Sequence, residues 1–168
     1  MNQLVLYSNV VLGTILLFSY FYIGSKNSGV VEKLWGNIKG LHRKLTIASM
    51  IITGITYLFT IYYLCFKSDK LDKKILNEIL KYQIILIIAS MLWMPLSIKY
   101  LNKKDVLTKI AVILILFIVA ISALAIFYKL LTINDNSKYK IMALVGSGML
   151  FFHTFFLDFL NWNYNFFK

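Results

Sequence analysis

The chain has 168 residues, 60% of them hydrophobic, and carries 18 Lys and Arg residues against 7 Asp and Glu residues. Its mean hydropathy is +0.73, and its apolar share exceeds the roughly 45–50% that is usual for soluble domains. With one cysteine and two histidines, the chain has no internal disulfide framework and no cysteine- or histidine-rich metal centre.

The positive charge would suggest nucleic acid as the partner of a soluble chain. Here the lysines lie between long apolar runs, where flanking cations anchor helices at lipid headgroups. The expected partner is therefore the lipid bilayer, and no nucleic acid is expected.

Five apolar runs predict an all-α fold, an integral membrane bundle of five transmembrane helices in a single multi-pass domain covering residues 1–168. The runs are long enough to cross about 30 Å of hydrocarbon, and one proline and eight glycines offer few helix breakers. The predicted spans are about 4–23, 45–66, 82–101, 107–129 and 139–162. The first lacks a basic start and a small-residue cleavage site, so it predicts a retained helix and not a signal peptide.

A basic connector at residues 24–44 separates the first two spans, and apolar residues at helical spacing favour a short helix in the membrane interface. Two glycines weaken that interpretation. The second span carries small hydroxyl residues at alternating steps of three and four, which predict a packing seam; a pore lining is the alternative. The seam comprises Thr46, Ser49, Thr53, Thr56 and Thr60.

Charged residues 67–81 are interpreted as an extramembrane extension of the third helix, capped by Ser68 or Asp69. In the third span, residues seven apart predict the face turned toward the bundle: Gln83, Ser90 and Ser97. Pro95 should kink this helix near its end, and Trp93 is either an interface anchor or part of a pocket wall. The fourth span is the most uniformly apolar, so it is expected to be the most lipid-exposed.

The fifth span carries the candidate site, because a carboxylate at membrane depth is costly and so indicates function. On an α-helix, a polar stripe falls within about 60° of arc. It comprises Ser147, Thr154, Asp158, Asn161 and Asn165. His153 lies off that stripe, and its five-residue distance from Asp158 predicts that the two do not share a face. The alternative is that Asp158 marks the polar border of the membrane and His153 only packs.

Five crossings put the termini on opposite sides and bring the start of the second span, the end of the third and the end of the fifth together. Arg43, the one arginine among the 18 cations, is predicted to pair with Asp158. The side with the C-terminus holds ten cations and the other side eight. This bias favours a cytoplasmic C-terminus and an N-terminus outside.

The candidate site therefore comprises Asp158, His153, Thr154, Asn161, Ser147, Arg43 and Trp93. No motif of a metalloprotease, P-loop, serine hydrolase or potassium channel is present, so no catalytic residue, metal or cofactor is predicted. The expected function is that of a transporter, channel subunit or membrane-embedded ligand-binding protein. Alternatives are a structural or assembly protein, which would bind further copies of the chain or a partner subunit, and a lipid-modifying enzyme.

Overall fold

The computed structural model describes residues 2–67 and 72–168, and 89% of it is helical. This confirms the all-α class for the described part of the chain. The helices are α1 (Gln3–Lys26), α2 (Ser28–Val31), a 3₁₀ turn (Glu32–Trp35), α3 (Gly40–Phe66), α4 (Lys73–Lys103), α5 (Val106–Leu131), α6 (Lys138–Phe152), a π-helix (His153–Trp162) and α7 (Asn163–Phe166).

Within the described residues, five helices are long and apolar enough to cross a membrane: α1, α3, α4, α5, and α6 with its continuation to Phe166. Each of them contains the whole of its predicted span. The charged extension of the third helix is confirmed from Lys73 onward. Its predicted caps, Ser68 and Asp69, lie outside the described residues, and the Asp72 carboxylate instead accepts a hydrogen bond from the Lys74 amide at 2.8 Å.

The long helices contact one another in a cyclic order, α1–α3–α6–α5–α4 and back to α1. Helix α5 is the most buried, and the prediction that it is the most lipid-exposed is wrong. In its most apolar stretch 39% of the residues are buried, compared with 11% for α1. A uniformly apolar surface suits helix contacts as well as lipid, so composition alone does not separate the two environments.

The seam on α3 is a packing seam, as predicted, and its partner is α6. Thr46, Thr53 and Thr60 are buried, and the Thr60 hydroxyl donates to the carbonyl oxygen of Ala143 at 2.9 Å. Gly146 allows this contact, since a Cβ there would lie 2.1 Å from the Thr56 carbonyl oxygen. At Gly146 the backbones of α3 and α6 are therefore too close to leave room for a side chain between them.

The basic connector is not one continuous interfacial helix. It forms two short helical turns that end at Gly36, whose φ of +53° is a left-handed conformation that favours glycine. Leu34 is buried, and its carbonyl oxygen accepts a hydrogen bond from the Trp162 indole at 2.8 Å. The Asn37 amide donates to the Asn165 carbonyl oxygen at 3.1 Å. The connector is thereby fastened to the end of the chain.

The termini lie at opposite ends of the bundle, as the five-span prediction requires. At the N-terminal end the Asn2 amide donates to the Cys65 carbonyl oxygen at 2.7 Å, whereas Asn37 and Asn165 meet at the other end. We call these the N-terminal end and the C-terminal end of the bundle. The predicted gathering at the C-terminal end is also observed, because the ring nitrogen Nε2 of His42 lies 3.0 Å from Nδ2 of Asn161.

Candidate functional site

The last of the five candidate transmembrane helices changes from α-helical to π-helical geometry at His153 and keeps it through Trp162. The Thr154 hydroxyl donates to the Leu150 carbonyl oxygen at 2.8 Å and lies 3.3 Å from that of Phe151. In an α-helix these two carbonyl oxygens would accept hydrogen bonds from backbone amides four residues further on. The Thr154 hydroxyl competes with those amides, which weakens α-helical hydrogen bonding here. A π-helix bonds each residue to the fifth one along, and such turns occur often at functional sites.

This geometry overturns the prediction that His153 and Asp158 do not share a face. Residues five apart lie one turn apart in a π-helix, and His153 Nε2 lies 3.4 Å from Asp158 Oδ1. The earlier prediction assumed α-helical geometry throughout the span. The two ionisable side chains of this segment therefore form a pair within one helix.

Ser49 on α3 completes the pair into a three-residue site. Its hydroxyl oxygen lies 2.9 Å from His153 Nδ1, and His153 is only 4% exposed. In the neutral tautomer with its proton on Nε2, His153 accepts a hydrogen bond from the Ser49 hydroxyl at Nδ1 and turns the Nε2 proton toward the Asp158 carboxylate. In sequence, Ser49 was a seam residue, and nothing in its spacing connects it to His153.

Asp158 is partly accessible, with 32% of its side chain exposed. Among the described residues, His153 is the one basic side chain within ion-pair distance of it. Tyr20 of α1 donates its hydroxyl to the Ser90 carbonyl oxygen at 2.7 Å.

Arg43 does not pair with Asp158, and that prediction is wrong. Its guanidinium forms a two-pronged ion pair with Glu32, in which Nη2 lies 3.0 Å from Oε2, and it stacks over the Trp35 ring at 4.7 Å. The hydrogen bonds from Arg43 lower the pKa of Glu32. The fold of the connector brings this nearer acid to the arginine, and the fork geometry of a guanidinium suits it.

The rest of the predicted stripe does not converge on the pair. The Ser147 hydroxyl donates to the Leu144 carbonyl oxygen at 3.2 Å and Thr154 bonds its own helix, so both satisfy the backbone. Asn161 lies beside His42 at the end of the bundle. The π-helix takes more residues per turn than an α-helix, and the arc computed for α-helical geometry does not persist through it.

Trp93 lies inside an aromatic cluster with Tyr20 and Trp162. Its ring centroid is 6.0 Å from that of Tyr20 and 5.2 Å from that of Trp162, with both ring pairs at 69°. Within the described structure, Trp93 Nε1 and Ser97 Oγ are buried without a hydrogen-bond partner. Trp93 thus faces the bundle, in contact with the helix that carries the pair.

A second polar group, which sequence analysis missed in large part, lies nearer the N-terminal end. Asn9 Nδ2 donates to Gln83 Oε1 at 3.2 Å, and Gln83 Nε2 donates to the Tyr57 hydroxyl at 2.8 Å. Gln83 was predicted to face the bundle and is fully buried. Asn9 is the one amide in the first apolar run and could have been singled out, but Tyr57 looks like the other tyrosines of its span.

Helix α3 contributes a residue to each of the two polar groups, which are separated along the bundle. Tyr57 follows Ser49 by eight residues on α3, which is about 12 Å of helix at 1.5 Å per residue. Chemically, the pair at the C-terminal end can accept a proton or attract a cation. No group of three or more His, Cys, Asp or Glu side chains suited to a metal occurs in the described ranges.

Comparison of the chain with protein-family models, with curated proteins and with solved structures finds no match.

Proposed function

We propose that this chain is an integral membrane protein that binds or transports a positively charged ligand at the site formed by Ser49, His153 and Asp158. The observation that carries the proposal is the His153–Asp158 pair, 3.4 Å apart on a π-helical stretch of a candidate transmembrane helix. Ionisable groups at such depth are costly and commonly mark ion or substrate pathways.

The charge balance of the site favours a cation. Asp158 faces a histidine and has no lysine or arginine within ion-pair distance among the described residues. A carboxylate without a permanent positive partner at membrane depth gains stability from a bound proton or cation. The exposed third of its side chain gives such a ligand a route of approach.

The second polar group supports transport as the form of this activity. The hydrogen-bonded set of Asn9, Tyr57 and Gln83 joins α1, α3 and α4, and α3 also carries Ser49 of the site. Two polar groups about 12 Å apart along the bundle would lower the cost of moving a polar ligand through the apolar interior.

Orientation is part of the proposal, with the N-terminus outside and the C-terminus cytoplasmic, on the cation bias. Single-cysteine variants at positions 27 and 136, made after replacing Cys65, test it with a membrane-impermeant thiol reagent. Position 27 should label from the cytoplasmic side and position 136 from outside. The reverse pattern would invert the orientation, and labelling of both from one side would contradict five crossings.

The function is tested in proteoliposomes with matched variants. Asp158→Asn should abolish flux of protons or monovalent cations, or the thermal stabilisation they give, without lowering the melting temperature. Asp72→Asn is the control: it removes a carboxylate at the other end of the bundle and keeps a good helix cap, so it should behave as wild type. Full activity of Asp158→Asn would refute the proposal and favour a structural or assembly protein.

A second candidate, a lipid-modifying enzyme, is favoured by the contact between Ser49 and His153. With the hydroxyl oxygen 2.9 Å from Nδ1, the imidazole could take the serine proton while the oxygen attacks an ester carbonyl. A fluorophosphonate probe would then label the wild type and not Ser49→Ala. A transport protein is expected to remain unlabelled in both forms.

A further inference from the structure

We propose that the C-terminal end of the bundle binds an anionic phospholipid, with its phosphate against Lys104 and Lys109 and an acyl chain along the exposed side of α5. This surface shares no residue with the site of Ser49, His153 and Asp158, so the inference does not depend on the proposed function.

The two ends of the bundle differ in the number of their acids. The polar segments at the C-terminal end carry ten Lys and Arg residues and two acids, whereas those at the N-terminal end carry eight and four. The segments are 24–44, 99–109 and Lys168 at the C-terminal end, and 67–81 and 129–140 at the other.

Both acids of the C-terminal end are already engaged by the protein. Glu32 pairs with Arg43. The carboxylate oxygens of Asp105 accept hydrogen bonds from the amide and the hydroxyl of Thr108, each at 2.8 Å. The lysines of this end therefore present an excess of positive charge, which attracts anionic headgroups.

Two of these lysines, at the turn between α4 and α5, lie on a pair of aromatic rings that contact each other. Lys104 Nζ lies 4.8 Å from the centroid of the Tyr100 ring, and Lys109 Nζ lies 5.0 Å from that of Phe167. The two ring centroids are 4.9 Å apart. Neither lysine has an ion-pair partner in the described part of the chain. An ammonium group has three N–H donors, so both lysines keep donors for the oxygens of a phosphate.

Helix α5 is the most buried of the long helices, yet one side of it is exposed from its basic end inward. The large apolar side chains on that side recur, from Leu107 onward, at alternating steps of three and four. They are Val106, Leu107, Ile110, Leu114, Phe117 and Ile121. This stripe covers about 22 Å of helix at 1.5 Å per residue, which is enough for an acyl chain within one leaflet of a core of about 30 Å.

The position of the stripe favours a lipid over a free phosphate. Val106 and Leu107, next to the two lysines in sequence, are 71% and 78% exposed. A soluble phosphate would leave these side chains uncovered, whereas a phospholipid covers them with its acyl chain and places its charge at the lysines.

Native mass spectrometry of the full chain in dodecyl maltoside, titrated with phosphatidylglycerol, measures binding of the first lipid. Phosphatidylcholine with the same acyl chains is the control without net charge, and wild type should bind it more weakly. The double variant Lys104→Gln with Lys109→Gln should weaken phosphatidylglycerol binding roughly thirtyfold, because each lysine near an anionic lipid accounts for about a fivefold change.

The matched control is the double variant Lys67→Gln with Lys138→Gln. Both of these lysines lie on the Tyr139 ring at the N-terminal end, at 4.7 and 5.4 Å from its centroid. This variant loses the same charge and the same kind of ring contact, and it should retain wild-type binding. Equal loss in the two double variants would overturn the proposal, because the attraction would then not belong to one end of the bundle.

Two further arms separate the lipid site from its alternatives. Lys104→Arg with Lys109→Arg keeps the charge and should bind like wild type. Glycerophosphate, the soluble part of the headgroup, should not displace phosphatidylglycerol at equal concentration. Displacement, or equally tight binding of phosphatidylcholine by wild type, would overturn the proposal. Folding of each variant is checked through Cys65, which is fully buried and stays unreactive toward a thiol dye while the bundle is intact.

Discussion

The contact between α3 and α6 makes Gly146→Ala the most informative single substitution. A Cβ at this position would lie 2.1 Å from the Thr56 carbonyl oxygen and 2.9 Å from the Thr60 hydroxyl oxygen. The first atom is backbone and cannot rotate away, so the helices must separate by at least about 1.3 Å to restore an ordinary contact. Gly148→Ala is the matched control, since its Cβ would meet only the Phe127 ring, at 3.4 Å.

The two variants share the same gain in helix propensity, up to about 1 kcal/mol for Gly→Ala, so their difference isolates the clash. Overpacking of this kind costs about 1–3 kcal/mol, and a backbone obstacle favours the upper part of that range. At about 2–4 °C per kcal/mol for a chain of this size, Gly146→Ala should melt about 4–12 °C below Gly148→Ala.

The assay follows labelling of Cys65 by a thiol-reactive dye during heating in detergent. This cysteine is fully buried and is the only one in the chain, so its exposure reports opening of the bundle. Separation of the helices should also stretch the 2.9 Å contact between Ser49 and His153, so Gly146→Ala should impair ligand binding as well. Equal melting of the two variants would refute the close packing of α3 on α6.

Two further predictions concern charged groups outside the site. Hydrogen bonds from Ser137 lower the pKa of Asp135 below 3.8, so the stability that the Asp135 carboxylate contributes is present above that pH and is lost as the pH falls further. The variant Asp135→Asn should therefore show a smaller decrease in melting temperature on acidification than the wild type. An unchanged dependence of melting temperature on pH would contradict the contact between Asp135 and Ser137. In double-mutant cycles, Arg43→Gln should be additive with Asp158→Asn and non-additive with Glu32→Gln, and coupling to Asp158 in melting experiments would restore the pairing predicted from sequence.

The long apolar runs alone were sufficient to predict five helices and the opposite placement of the termini. A run of about 20 apolar residues without a charge has few alternatives to a buried or membrane-spanning helix, because its backbone must satisfy its own hydrogen bonds. The parity of the runs then brings His42 close to Asn161, as observed. The threonine seam was predictable for a similar reason, since small hydroxyl residues at helical spacing suit close backbone contact.

The surroundings of each helix could not be predicted in this way. Lipid and the interior of a helical bundle are both apolar, so the composition of α5 is compatible with either, and only packing decides that it is the most buried helix. Arg43 illustrates the same limit for charges. Charge and membrane side suggested Asp158 as its partner, but the course of the connector brought Glu32 closer.

The candidate site depended on tertiary structure most of all. Sequence alone singled out Asp158 and His153, because ionisable residues are rare in an apolar run. Their pairing required a π-helical turn, which spacing computed for an α-helix excludes, and Ser49 joined them only because α3 packs closely on α6. The residue types in the local sequence determine which side chains are costly to bury. Contacts between helices, and the geometry within each helix, decide which of those side chains lie close enough to pair.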